Sequence, residues 1–201
     1  AVTFFPEWWR RERGNAELTA KVVAADLTEC VGLVLKGACQ FLLHYSSEAV
    51  PARVENVNLR RRHVGTERLV PVSRTGRGGK PLFDFPARQS SRPSARAVPL
   101  LTYASDSFLG MVTARLHAQL EARCTLVQRY ESSLVEALKA QALLGEGVAW
   151  LPERSVRTEV AAGTLRVIGD ETLAVPLGVW LCTPASASVP ADAQSLLGPA
   201  G

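Results

Sequence analysis

The chain has 201 residues, 47% of them hydrophobic and 21% charged, with a formal charge of +4 and a pI near 9.1. That composition suits an ordinary soluble globular protein with a substantial core, and it excludes an intrinsically disordered chain. No apolar run reaches the roughly 20 residues of a membrane helix. The opening Ala1-Val-Thr-Phe-Phe-Pro6 turns basic only after its apolar part, the reverse of a secretory signal, and the only methionine is Met111, so the sequence reads as a piece of a longer protein.

A first helix is predicted from Phe4-Phe5-Pro6-Glu7-Trp8-Trp9, because Pro6 suits a first turn whose N–H groups lack intrahelical partners. Trp8 and Trp9 are adjacent, so a helix can bury one and leave the other for a partner surface. Leu18–Ala25 predicts a strand. Asp26-Leu-Thr-Glu29 has the spacing of a capping box. Leu27, Val31, Val34 and Leu35 then fall on one helix face, and Gly37 supplies the left-handed ending. Gln40–Tyr45 is a short apolar run that predicts a buried strand. Leu59–Ser73 predicts one or two strands around Gly65, followed by a basic, Gly-rich turn over Arg74–Pro81. Residues 86–99, rich in Pro, Ser and Arg, predict a loop before a strand at Leu100–Tyr103.

Ser105-Asp106-Ser107 is cap chemistry ahead of a helix on which Phe108, Val112, Leu116 and Leu120 step by four. Thr125–Tyr130 predicts a strand. Ser133-Leu-Val-Glu136 has the spacing of a second capping box, Gly145 and Gly147 close that helix, and Val148–Leu151 predicts a strand stopped by Pro152. A short helix over 153–162 ends at Gly163, strands follow at Leu165–Ile168 and Leu177–Thr183, and the tail from Pro184 is expected to be loosely ordered. The order strand, cap, helix, Gly, strand therefore occurs at 18–45 and again at 125–151. Two such βαβ units predict two similar α/β lobes with mostly parallel sheets. Ligands of open α/β sheets bind beyond the carboxyl ends of the strands, where capped helix N-termini also point.

Charge is uneven. Residues 1–100 hold 16 basic and 9 acidic residues, and residues 101–201 hold 7 and 10. The arginines are scattered, apart from Arg60-Arg61-Arg62 and the turn at 74–80, without interleaved aromatics, which reads as solvated surface rather than a nucleic-acid face. Cys30, Cys39, Cys124 and Cys182 are widely and irregularly spaced, so reduced thiols in the cytoplasm are expected, with Cys30 and Cys39 packing as small hydrophobes. His44, His63 and His117 have no partner at metal-ligand spacing. Arg77-Gly-Gly-Lys-Pro81 lacks the Ser/Thr and the upstream glycine of a phosphate loop, and neither a dinucleotide fingerprint nor a nucleophile elbow is present. No enzyme, cofactor or metal is predicted.

Several segments, in order, are similar to one family. Val22–Tyr45 resembles the strand, helix and strand of the effector domain of LysR-type transcriptional regulators, with Gln40 at the family's aspartate position. Val64-Gly-Thr-Glu-Arg-Leu-Val-Pro-Val72 resembles its "Leu-Gly-x-Glu-Arg-Leu-Val" strand pair. Gly145-Glu-Gly-Val-Ala-Trp-Leu-Pro152 resembles its "Gly-x-Gly-Ile-x-x-Leu-Pro" motif, and Ala162-Gly-Thr-Leu165 its "Gly-x-Leu" ending. Cys30 and Arg68-Leu-Val-Pro-Val-Ser73 are similar to the hypochlorite-responsive branch.

The resemblance implies an α/β fold of two Rossmann-like subdomains of type 2 periplasmic-binding-protein architecture, joined by two crossover strands, with an effector in the cleft between them. It assigns 1–46 and 152–190, with part of 47–73, to the first effector-binding subdomain, 74–151 (mainly 98–151) to the second, and 184–201 to the tail. It also implies a winged helix-turn-helix absent from this chain, through which promoter DNA would be read, and self-association as a homodimer or tetramer. The family's first strand precedes Thr3, and its effector-contacting hydroxyl falls at the end of that strand.

The candidate effector contacts are Thr3, Asp26, Leu27, Thr28, His44 and Tyr45 in the first lobe, and Tyr103, Ser105, Ser107, Phe108, Ser132 and Trp150 in the second, with Asp106 and Ser133 beside them. Caps and N-terminal N–H groups suit a small anion, which Asp26 would oppose. Each residue also has a purely structural reading: caps stabilise helices regardless of any ligand, and Trp150 and Phe108 suit a core. Effector binding would shift an equilibrium between arrangements of the oligomer. The alternatives are a solute-binding protein for transport, an enzyme on the same scaffold, and a redox sensor acting through cysteine.

Overall fold

The computed structural model describes residues 1–14, 17–48, 50, 54, 57–86 and 94–197. In chain order the elements are α1 (Phe5–Arg13), α2 (Leu27–Leu35), β1 (Leu42–Ser46), β2 (Leu59–Arg74), β3 (Ser94–Thr102), α3 (Phe108–Glu121), β4 (Cys124–Glu131), α4 (Val135–Leu144), β5 (Val148–Pro152), α5 (Glu153–Ala161), β6 (Leu165–Val167) and β7 (Val175–Pro184), with three short 3-10 turns. The chain forms two compact units, residues 1–67 with 177–201 and residues 68–176. It passes from one to the other twice, inside β2 and inside β7.

In the first unit β1 pairs antiparallel with β7, from Leu42 opposite Cys182 to Ser46 opposite Gly178, and β7 neighbours β2. Side chains alternate across a strand, so Leu42 and Cys182 point to one face and join Val34 of α2 and Val54 in a core. Leu27, Cys30, Val31, Cys39, Leu59 and Trp180 pack against it. α2 starts where the sequence predicts: Asp26 Oδ1 accepts from Glu29 N at 2.8 Å, and Gly37 takes φ +73° just past the end. In α1, Trp8 is buried and Trp9 only half-buried.

Two expectations for this unit are corrected. The predicted strand at Leu18–Ala25 is absent: residues 17–26 have no regular structure and are mostly exposed. Its valines favour a pleated conformation, but among the described residues no strand flanks it, and an unpaired strand has no ladder to hold it. The first predicted βαβ unit is therefore not formed. The tail packs on this unit as far as Leu197. Val189 and Leu196 are buried, and the carbonyls of Ala187 and Leu196 accept from Arg60 (3.2 Å) and Arg62 (2.8 Å). Residues 198–201 lie outside the described residues.

The second unit is a mixed sheet in which β6 and β5 flank the end of β2, antiparallel to it, and β5, β3 and β4 run parallel. Val70, Val72, Leu101, Ala149, Leu151 and Leu165 of the strands bury against Leu138 and Ala142 of α4 and Val156 of α5. The predicted βαβ unit at 125–151 is β4-α4-β5, with β3 between its two strands. β3 begins earlier than predicted, at Ser94, because pairing with β4 reaches back to Ser94 opposite Cys124; the rest of the expected loop, 87–93, lies outside the described residues. Residues 152–176, expected with the first subdomain, belong to the second unit: α5 packs on β5 and β6 pairs with Val72–Arg74.

Candidate functional site

The parallel strands β4, β3 and β5 end at Glu131, Thr102 and Pro152, and each leads within a few residues into a helix, α4, α3 and α5. Three helix N-termini thus start at one end of one sheet, each with N–H groups that have no intrahelical acceptor.

The α3 end is the most elaborately held. Ser107 N and Ser107 Oγ both donate to Ala104 O, at 3.0 and 2.7 Å, and Ser107 Oγ accepts from Gly110 N at 3.0 Å. The hydroxyl's proton and one of its two lone pairs are thereby used by the fold. Ser105 and Asp106 are exposed on the same turn, and Phe108 is half-buried at the first helical position. Ser132 N donates to Thr102 O at 3.1 Å, tying the loop after β4 to the end of β3, and Ser132 Oγ accepts from Leu134 N at 3.1 Å. The structure therefore brings Ser105, Ser107, Phe108 and Ser132 to neighbouring loops.

The expected capping box at Ser133–Glu136 is corrected. α4 begins at Val135, Leu134 is the cap residue without a side-chain cap bond, and Ser133 is exposed. Ser132, one residue earlier, is the one in reach of the turn. Tyr103 packs into the second unit's core. Trp150 is 1% exposed, its Nε1 donates to Leu173 O at 2.8 Å, and its ring lies 5.4 Å from Phe85 and 5.1 Å from His117. It is a packed core residue apart from the serine loops. Burial without a charged partner holds His117 down to about 4.

In the first unit Thr3 lies half-buried in the turn before α1. Asp26, Leu27 and Thr28 sit at the α2 N-terminus, where the Asp26 carboxylate already accepts the cap bond, so a second anion meets like charge. His44 is buried on β1. Its Nδ1 lies 2.9 Å from Tyr45 O and its Nε2 3.5 Å from Cys182 Sγ. A carbonyl can only accept, so Nδ1 carries the proton and Nε2 accepts from the thiol. Burial lowers the His44 pKa and pushes Cys182 up to about 11, which describes a neutral pair rather than a reactive thiolate. Burial also raises Cys30, whose Sγ faces Ala25 O with Asp26 and Glu29 nearby, the opposite of an electropositive thiol setting. All four cysteines are free thiols. Among the described residues no three His, Cys, Asp or Glu side chains are grouped to hold a metal ion, and no helix is long and apolar enough to cross a membrane.

Sequence reasoning left out Thr102, Ala104 and Gly110, which anchor the loops through backbone groups. Only Gly110, a glycine in a helix's first turn, left a trace.

Parallel strands opening at their carboxyl ends into helices, in an α/β chain that passes twice between two units, define the type 2 periplasmic-binding-protein class of fold. The LysR substrate binding domain matches residues 3–198, and the chain belongs to this family, the effector-binding domain of LysR-type transcriptional regulators. Over 167 residues it is 29% identical to the HTH domain-truncated transcriptional regulator QseD of Escherichia coli O157:H7, covering 81% of this chain and 62% of that protein. It is similar to Vibrio fischeri DarR solved in complex with DNA, at 27% identity and TM-score 0.78, covering all of this chain and 65% of that one. The apo regulatory domain of HypT from Salmonella typhimurium shares the fold at TM-score 0.78 and 24% identity, over 95% and 84% of the two chains. The chain thus spans less than two thirds of the length of QseD and of DarR.

Proposed function

We propose that this chain is the sensing part of a DNA-binding regulator, and that its second unit takes a small anionic effector at the carboxyl ends of β3 and β4. One observation carries the reading: the Ser105–Ser107 turn, held to Ala104 O, and Ser132, held to Thr102 O at the end of β3, stand at the starts of α3 and α4, where partial positive charge and unused N–H groups favour a carboxylate or halide. Promoter DNA would be read by a winged helix-turn-helix outside this sequence, in a bacterial cytoplasm, and the effector would act by its differential affinity for arrangements of a homo-oligomer. Nothing in the site supplies a nucleophile activated by a base, which favours sensing over catalysis.

The test is a thermal-shift screen of small carboxylic acids, halides and hypochlorite on the unmodified chain, Ser105→Ala and Ser107→Ala. An effector at a hundred times its Kd stabilises by about 2.7 kcal/mol, a rise of roughly 5–10 °C for a chain of this size. Ser105 is exposed, so its replacement leaves the basal melting point unchanged while weakening the effector. An effector that shifts both variants as it shifts the unmodified chain refutes the placement.

A further inference from the structure

The two most exposed leucines among the described residues, Leu134 at 67% and Leu144 at 64%, sit at opposite ends of α4, a helix about 15 Å long. Their surroundings carry opposite charge. Leu134 lies between the exposed Glu131 and Glu136. Leu144 lies where Arg74 and Leu82 close over the helix end: Arg74 Nη1 donates to Leu144 O at 3.2 Å, and a Cβ on Gly145 would meet Leu82 Cδ2 at 3.0 Å and Arg74 Cδ at 3.2 Å. The turn after Arg74 adds the exposed Arg77 and Lys80, with the Arg166 guanidinium beside Gly79. Each end also has minority charges. Glu146 follows Gly145, while Arg129 precedes Glu131 on β4 and Lys139 lies 3.6 Å from Glu136.

The helix dipole accounts for acids at the start and an arginine at the end. It does not account for a large apolar side chain standing in water at each. An apolar centre with a charged rim is the composition of an interface, and here the two rims are complementary.

We propose that the acidic Leu134 end of α4 in one copy docks on the basic Leu82–Leu144 end of α4 in a second copy. Such a junction joins two different patches, so each pair leaves one of each unused, and the assembly extends or closes into a ring. The acidic end shares the 131–134 loop with Ser132, while the basic end lies at the opposite end of α4 from the serine loops, and self-association is measured without any effector.

The experiment is sedimentation velocity over a concentration series, using the unmodified chain, an acidic-end variant (Glu131→Lys with Leu134→Lys) and a basic-end variant (Lys80→Glu with Leu144→Glu). The unmodified chain should grow with concentration and shrink with added salt. Each variant alone should weaken the junction by at least ~10-fold, as expected when an anchor is truncated at an interface. An equal mixture of the two variants rebuilds the junction between unlike variants, giving species larger than either variant forms alone. Circular dichroism checks the fold, and if either double variant is unfolded, Leu134→Ser and Leu144→Ser replace it. Identical sedimentation of the unmodified chain and both variants, or a mixture that behaves as the sum of its parts, overturns the proposal.

Discussion

Replacing Gly110 by alanine tests the geometry of the α3 start directly. Within a helix the change ordinarily gains about 1 kcal/mol, since alanine loses less backbone freedom. At Gly110 the sign should reverse. A Cβ there would fall inside contact distance of the Ala104 carbonyl oxygen, 2.9 Å from its carbon and 3.0 Å from Ser107 Oγ. The obstructing group is chiefly backbone, so no side-chain rotation relieves it, and the turn must open. Overpacking of this kind costs about 1–3 kcal/mol, and the strained Ser107 cap adds about 1. Set against the propensity gain, the net loss is about 1–3 kcal/mol, a fall in melting temperature of roughly 2–12 °C.

Gly32 supplies the control. It lies inside α2 with nothing within 4 Å of the added Cβ, so Gly32→Ala should stabilise by about 0.5–1 kcal/mol. Urea and calorimetric unfolding of both variants read the contrast. A neutral or stabilising Gly110→Ala would refute the placement of the Ser105–Ser107 turn, and a destabilising Gly32→Ala would refute the reasoning from open space.

Leu138 is fully buried between α4 and the sheet, so Leu138→Ala should cost about 2–5 kcal/mol by urea unfolding. His44 and His117 both have folded pKa values below their ordinary 6.5, His117 at about 4. The unfolded chain takes up protons that the folded chain refuses, so stability should decline as pH falls below about 7, with the His117 contribution levelling near pH 4. For His117 the decline amounts to at most about 3 kcal/mol, and His117→Phe should flatten the pH–stability curve measured by calorimetry. Burial raises the Cys182, Cys124 and Cys30 thiols, so iodoacetamide at neutral pH should leave Cys182 and Cys124 unlabelled until the chain unfolds and should modify Cys30 only slowly. Rapid mass-spectrometric labelling of Cys182 in the native chain would contradict the buried thiol–imidazole pair.

The parts of the fold that were legible are those whose signals are local. The Asp26 cap, the left-handed Gly37 and Gly145, and the stepped Val112, Leu116 and Leu120 each specify a helix end or face from residues within a few positions. Leu18–Ala25 shows where local signals stop. Its β propensity is real, but a strand exists only with a neighbour, and pairing is a property of distant chain. The same holds at 152–176. The α5 helix was legible, while its allegiance to the second unit depends on Leu165–Val167 meeting Val72–Arg74.

The candidate site divides along the same line. Ser107 reads as a cap in the sequence and is one, but the sequence could not say that the same hydroxyl also gives up its proton, because the acceptor is the backbone carbonyl of Ala104. Ser132 and Ser133 were equivalent in sequence. The loop decides between them: Ser132 N is drawn to Thr102 O by the parallel pairing of β3 and β4, which leaves Ser132 Oγ facing the first turn of α4 and Ser133 in solvent. Trp150 went the other way, since a tryptophan on a strand before Leu-Pro gives no sign that Leu173 O will satisfy its indole N–H. The α3 turn therefore presents Ser105 and backbone N–H groups, with Ser132 on the neighbouring loop, and Ser107 is the residue that holds the turn in place.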